Sequence, residues 1–325
     1  MSDLSETKAS LPEVYRLYGS KGKFSVNGFL DVHYLQSHFT LGESNHAEGK
    51  LFNILRPARE IFGIDMTDMD SVLQRAVNDY RVGKEIIPYL RGDDVTLGPG
   101  AQDQLSKSVR PRFFPNIVAA IVPIEKDGRE IENSYPEKSN PEGDWESKER
   151  DPMQAGWSKF TTYGGENGFC FGTKEVSLGG SAKFLNCPVE LLLSTEKCRL
   201  VILDGQHRAM ALLALARNGA GEDTGWPTTA TSFEHFYAGL KLEENEDISD
   251  VQIPLTIAWF PELHESSDLV TEHSGSIKNA CRALFTDINN NAMPMDETSK
   301  ILLSDSKIAD SIARNMFNII LNQKE

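Results

Sequence analysis

The sequence predicts a mixed α/β fold, and three observations carry that expectation. The runs 113-FFPNIVAAIVPI, 199-RLVIL and 253-IPLTIAWF are continuously apolar and rich in β-branched residues, as strands buried on both faces are. Between and around them lie stretches of helical spacing, of which 209-AMALLALARN is the plainest. The two kinds alternate along the chain, which is the pattern of packed α and β layers.

Taken in order, residues 24–41 interleave Phe24, Val26, Phe29, Val32 and Tyr34 with turn formers, and read as strand or hairpin. From Asp68 to Leu90 the spacing of Met69, Val72, Leu73, Ala76, Val77 and Tyr80 is helical, with a second short helix around Ile86, Ile87 and Leu90. The run from Phe113 to Ile124 is a buried strand bounded by prolines. Residues 125–152 are nearly all polar, charged, Pro or Gly, a composition of loops. A short strand, 199–203, turns directly into Asp204-Gly205-Gln206-His207-Arg208 and then a helix closed by Gly219. Residues 217–250, with Gly221, Gly225, Pro227 and the acidic 241-KLEENEDISD, read as a solvated connector. Another buried strand follows at 253–260. A helix from Lys278 then runs into an Asn-rich turn, and a last helix carries Ile308, Ile312, Met316 and Ile319 on one stripe. This divides the chain into a strand-rich segment (1–65) that joins the core, a core (66–300) interrupted at about 125–198, and a C-terminal helix (301–325).

A chain of 325 residues has the length of one large domain or two modest ones. No window approaches the run of about 18 apolar residues that a membrane span needs. The N-terminus MSDLSETKAS lacks the basic-then-apolar order of a signal peptide, so a cytoplasmic protein is expected. Cys170, Cys187, Cys198 and Cys281 show no C-x-x-C spacing and read as buried thiols. The net charge of −15 argues against bulk, nonspecific attraction to nucleic acid.

The chemistry concentrates in DGQHR. Gly205 permits a positive φ or close backbone approach where strand meets helix. Unsatisfied N–H groups at the helix start, with a guanidinium fork beside them, make an anion site. His207 can move a proton or donate to a phosphate oxygen. Asp204 can hold a metal ion or orient His207, and Gln206 can position water. The plainer alternative is that Asp204 caps the helix, Arg208 pairs with it and His207 faces solvent. Other chemistries lack their signatures. There is no Walker loop, no GxGxxG after a strand, no GxSxG, and 164-GGENG reads as a turn. His33, His38 and His46 lack zinc-site spacing.

VILDGQHRAMALL resembles the signature of the DGQHR-domain proteins, a branch of the ParB/sulfiredoxin-like superfamily. That branch includes the DndB proteins of phosphorothioation systems and the DpdB proteins of 7-deazaguanine DNA-modification systems. Gln74-Arg75, Arg81-Val82 and IIPYL are similar to the family's upstream helix region, and Phe114-Pro115 with IVAAIVPI to its next strand. Arg282, Phe285, Asp287, Asn289 and Pro294 resemble its downstream element. The resemblance covers roughly residues 70–300. It implies a compact core with a small mixed sheet flanked by helices, the DGQHR turn at the ligand pocket, and an insertion at about 125–198.

The resemblance further implies a nucleoside triphosphate, ATP or another, at that turn, with Mg²⁺ bridging its phosphates. Arg208 and His207 would face the phosphates, with Gly205 as the position of close approach. Gln74, Arg75 and Arg81 would lie on the neighbouring helix, and Asn289 and Asn290 on the downstream turn. The expected function is that of an ATP-hydrolysing accessory protein of a bacterial DNA-modification and restriction system. In that reading Asp204, Gln206, His207 and Arg208 are catalytic, Asp204 is also a metal ligand, and a DNA-modifying enzyme subunit is the partner. DNA would be met directly or through that subunit. The alternative is a non-enzymatic DNA-binding regulator of a phosphorothioation operon. Its basic face would come from residues 72–112, where Arg75, Arg81, Lys84, Arg91, Lys107, Arg110 and Arg112 stand against five acids. A nuclease would need a carboxylate cluster that Asp204 and Asp287 do not supply.

Overall fold

The structure, a computed structural model, describes residues 14–41, 51–61, 77–91, 113–125, 131–140, 157–165, 168–176, 187–219, 226, 234–241, 250–273 and 275–291. Strands β1 (Val14–Phe24) and β2 (Val32–Thr40) form an antiparallel hairpin whose turn uses Gly28 at φ +84°. Next come β3 (Leu55–Pro57) and β4 (Ile117–Pro123). Four strands follow: β5 (Lys138–Ser139), β6 (Trp157–Gly165), β7 (Gly168–Val176) and β8 (Cys187–Ser194). The last two are β9 (Cys198–Asp204) and β10 (Gln252–Trp259).

All ten strands join one sheet in the order β3-β9-β4-β10-β2-β1-β8-β7-β6-β5. Pairing is parallel at β3/β9 and β4/β10 and antiparallel elsewhere, so the sheet is mixed. The mixed α/β class is as expected; a small sheet is not. The expectation fails because residues 125–198 supply β5 to β8, continuing the sheet outward from β1.

Polar composition concealed one anchor in that segment. Tyr135 is fully buried, and its hydroxyl donates to the Ile121 carbonyl of β4 at 2.9 Å. Its ring meets Tyr163 of β6 at 5.4 Å and Phe171 of β7 at 5.0 Å, and those two stack on each other at 4.2 Å. Strands β10, β2, β1 and β8 separate β4 from β7 in the order, so this contact requires the sheet to curl over its own core. Cys170, Cys198 and Cys281 are buried free thiols.

Short helices α1 (Leu51–Ile54) and α2 (Ala58–Ile61) flank β3. Helix α3 (Asp79–Arg81) continues through a π-helical turn (Val82–Ile86) into α4 (Ile87–Arg91). Helix α5 (Gln206–Gly219) follows β9 after Gly205 alone, α6 (Glu234–Tyr237) and α7 (Asp268–Thr271) are single turns, and α8 (Ile277–Asn291) packs on β9. Ala209 to Leu215 are buried without a break, so α5 has no solvent stripe over these turns and sits among β3, β4, β9 and the π-turn. The supposed connector 217–250 contributes Trp226 and Tyr237, both buried and stacked at 5.6 Å. The C-terminal helix lies outside the described residues. Among those residues no helix is long and apolar enough to cross a membrane.

Two features set testable stability terms. Glu60 of α2 takes a bidentate bond from Arg217 of α5, both contacts 2.8 Å, with Arg56 also at 3.8 Å. Arg217 and Glu60 are nearly closed to water, and burial with the neighbouring Arg217 brings the pKa of the Arg56 guanidinium down to about 10. Removing one partner strands a buried charge, so Glu60→Ala is expected to cost about 3–5 kcal/mol in urea unfolding. His33 of β2 packs its ring edge-on against Trp259, and burial, aided by Lys21 and Lys23, pushes its pKa down to about 4. Between pH 6.5 and about 4 the unfolded chain therefore binds a proton that the folded chain does not. Stability falls as pH falls through that window, and His33→Gln makes the fall shallower in urea titrations across it.

Candidate functional site

The DGQHR turn lies where β9 ends against β4. Val118 pairs with Asp204 but Ala119 pairs with Ile202, so Leu203 is an extra residue in the ladder. Such a bulge re-aims the strand end and is a familiar device beside functional sites. Asp204 closes β9 and does not cap α5. That place belongs to Gly205, whose carbonyl accepts the Ala209 N–H at 2.8 Å. The N–H groups of Gln206, His207 and Arg208 precede this first intrahelical bond and face the mouth of the turn.

Gly205 is needed twice over. Its φ of +80° is left-handed, and a Cβ there would stand 2.9 Å from Arg208 Nη2 and 3.3 Å from Cζ. The guanidinium thus lies directly over the glycine. Arg208 Nη2 donates to the Asn116 carbonyl at 2.9 Å and sits 3.5 Å from Asp204 Oδ2. Asn116 is itself pinned by its Nδ2 donating to Thr256 Oγ1 on β10 at 2.9 Å. Arg208 Nε is buried and has no hydrogen-bond partner among the described residues. The pairing of Arg208 with Asp204 is the part of the plainer alternative that the geometry contains.

His207 is half-buried, and its Nε2 accepts the backbone N–H of Asn78 at 2.9 Å. This fixes the proton of the neutral ring on Nδ1 and makes His207 a tether between α5 and the start of α3. The same Asn78 caps α3 through its side chain, which accepts the Arg81 N–H. Asp79 beside it receives a bidentate bond from Arg59 (2.8 and 3.1 Å) and a short one from the Tyr237 hydroxyl. Nε2 is therefore occupied by a backbone donor, which gives His207 a positioning role between α5 and α3 and leaves Nδ1 as the ring atom that carries the proton.

These elements enclose a cavity of about 480 Å³. Its walls carry Asp204 to Arg208, Arg81, Glu85, Tyr89, Phe113 and Phe285, among others. Arg81 Nε pairs with Glu85 Oε2 at 3.0 Å, so the two arginines of the cavity each lie beside a carboxylate. A π-turn, which shifts side chains by one residue and is frequent at functional sites, forms the wall holding Glu85 and Ile86. Among the described residues no group of three His, Cys, Asp or Glu side chains is placed to hold a metal.

Of the expected residues, Asp204, Gly205, Gln206, His207, Arg208 and Arg81 come together around this cavity. Gln74 and Arg75 lie outside the described residues. Asn289 and Asn290 belong to the last turn of α8, not to a loop after it, because that helix continues to Asn291. Sequence reasoning missed Glu85, Tyr89 and Phe113. One signal was available: Pro115 cannot donate to a ladder, so the apolar run divides into Phe113–Pro115, which lines the cavity, and the strand from Ile117.

No family model, no curated protein and no solved structure matches the chain.

Gly205→Ala brings both a strained φ and a collision with the guanidinium. It is expected to lower stability by about 1–2 kcal/mol from the backbone alone, read as a reduced urea midpoint.

Proposed function

We propose that this protein binds a nucleoside triphosphate, ATP foremost, at the Gly205–Arg208 turn, and hydrolyses it as an accessory protein of a bacterial DNA-modification and restriction system. The core is read as ParB/sulfiredoxin-like on the strength of its DGQHR unit. The observation that carries the proposal is the guanidinium of Arg208 lying over a left-handed glycine at the start of α5, inside a cavity. Orphan N–H groups at a helix start and an arginine fork are complementary to phosphate oxygens. The buried, unpaired Nε of Arg208 favours the same reading, since a small rotation toward an anion would relieve a donor that now pays desolvation without a bond.

In this scheme the first-turn N–H groups and Arg208 hold the phosphates. His207 keeps α3 seated against α5 through Asn78, so that Arg81 stays at the rim. Gln206 lines the cavity and is the amide able to orient an attacking water. The side chains of the turn offer a single carboxylate, Asp204, and it already faces Arg208. That donor set does not amount to a dedicated metal site, so Mg²⁺ would arrive with the phosphates. The charge of −15 suits a subunit that leaves DNA contact to a DNA-modifying partner.

Titration of the full chain with ATP and Mg²⁺, followed by phosphate release, tests this. Arg208→Ala is expected to weaken ATP binding at least about tenfold, the value of one lost charged contact, and to abolish release with the urea midpoint little changed. Wild-type affinity and turnover in that variant would overturn the assignment.

A further inference from the structure

Phe113 stands at the cavity and takes no part in the phosphate chemistry. Its side chain is 74% exposed, yet its backbone is clamped. The Tyr89 hydroxyl donates to the Phe113 carbonyl at 3.1 Å and accepts the Phe113 N–H at 2.9 Å. On its other side Phe114 is buried and Pro115 has a fixed φ, which holds the segment from that end too. A ring this exposed contributes little to folding. Holding its backbone rigid contributes to something that meets the ring from outside, because a pre-ordered surface loses less entropy on binding.

The cavity lining thus combines two kinds of group: Arg208, Gly205 and the start of α5, and the rings of Phe113, Tyr89 and Phe285. Charge is balanced in its walls, Arg81 against Glu85 and Arg208 against Asp204. A ligand that matches such a cavity is planar and aromatic at one end and anionic at the other. We infer that Phe113, held by Tyr89, is the stacking platform for the nucleobase of the ligand whose phosphates lie at the Gly205–Arg208 turn. The inference rests on the nucleotide reading above and adds the residue that recognises the base. The base can belong to a free nucleotide or to a nucleotide of a DNA strand.

Calorimetric titration of the full chain with ATP, tripolyphosphate, adenosine and a short single-stranded oligonucleotide tests this. Stacking on an aromatic ring predicts that Phe113→Ala weakens ATP about tenfold and leaves tripolyphosphate unchanged, while Phe113→Trp binds ATP at least as tightly as wild type. Equal ATP affinity in wild type and Phe113→Ala overturns the inference. So does an equal loss for ATP and tripolyphosphate, which places the effect at the phosphate end or in the fold. Failure of the nucleotide reading looks different. If adenosine binds with dependence on Phe113 but tripolyphosphate does not bind, the platform stands and the phosphate assignment falls. If none of the four ligands binds wild type, both fall. Oligonucleotide binding that is tighter than ATP and lost in Phe113→Ala keeps the platform and assigns the base to a strand.

Discussion

The left-handed backbone at Gly205 is the constraint on which the rest of the molecule depends. It turns β9 into α5 with no intervening loop, so a strand at the centre of the sheet half formed by β3, β9 and β4 feeds straight into a helix buried over two turns. Because α5 is enclosed there, its direction determines where α2, α3 and α6 can dock. They do so through polar contacts at its two ends: His207 to Asn78 at the start and Arg217 to Glu60 at the finish. The first of these also builds the cavity wall. Stability and site geometry therefore share one turn, and the backbone at Gly205 is where the two are joined.

The two arginine–carboxylate units around α5 differ in what they contribute. Arg217 and Glu60 are withdrawn from water and hydrogen-bonded twice, so their value is mainly that neither can be removed alone. Arg208 and Asp204 are partly open to solvent and meet at a looser 3.5 Å. A loose, half-hydrated pair exchanges partners at low cost. The buried pair fixes α5, and the open pair is left adjustable at the site.

Legibility from sequence followed the reach of the interactions. The strand–DGQHR–helix unit was readable because all its determinants are local: an apolar run, a glycine, and a helix-forming stretch within twenty residues of one another. The strand at Ile117–Pro123 was readable for the same reason, though Pro115 trimmed its start. The size of the sheet was not readable. It depends on Tyr135, an aromatic within a polar stretch, reaching β4 with its hydroxyl and β6 and β7 with its ring. The tether made by His207 was not readable either. Residue type made it a proton carrier, while its actual partner is a backbone N–H of Asn78, which no local pattern announces. Tyr89 and Phe113 escaped because their clamp joins two segments that are separately unremarkable.

On the nucleotide reading proposed above, charge balance is what would keep the site of an acidic protein selective. With Arg81 and Arg208 each beside a carboxylate, the cavity walls present little net positive field, and the chain's net charge of −15 repels simple anions at a distance. In that scheme an anion would displace Asp204 from Arg208 and engage the N–H groups of the first turn of α5 together with the guanidinium. That exchange costs a partly hydrated ion pair, and a single phosphate of ordinary charge recovers little beyond it. A ligand that also covers the exposed ring of Phe113 adds an apolar contribution that salt does not screen. In that scheme the aromatic lining would separate a nucleotide from the free phosphates around it, while the guanidinium and the helix start would fix where its charge sits.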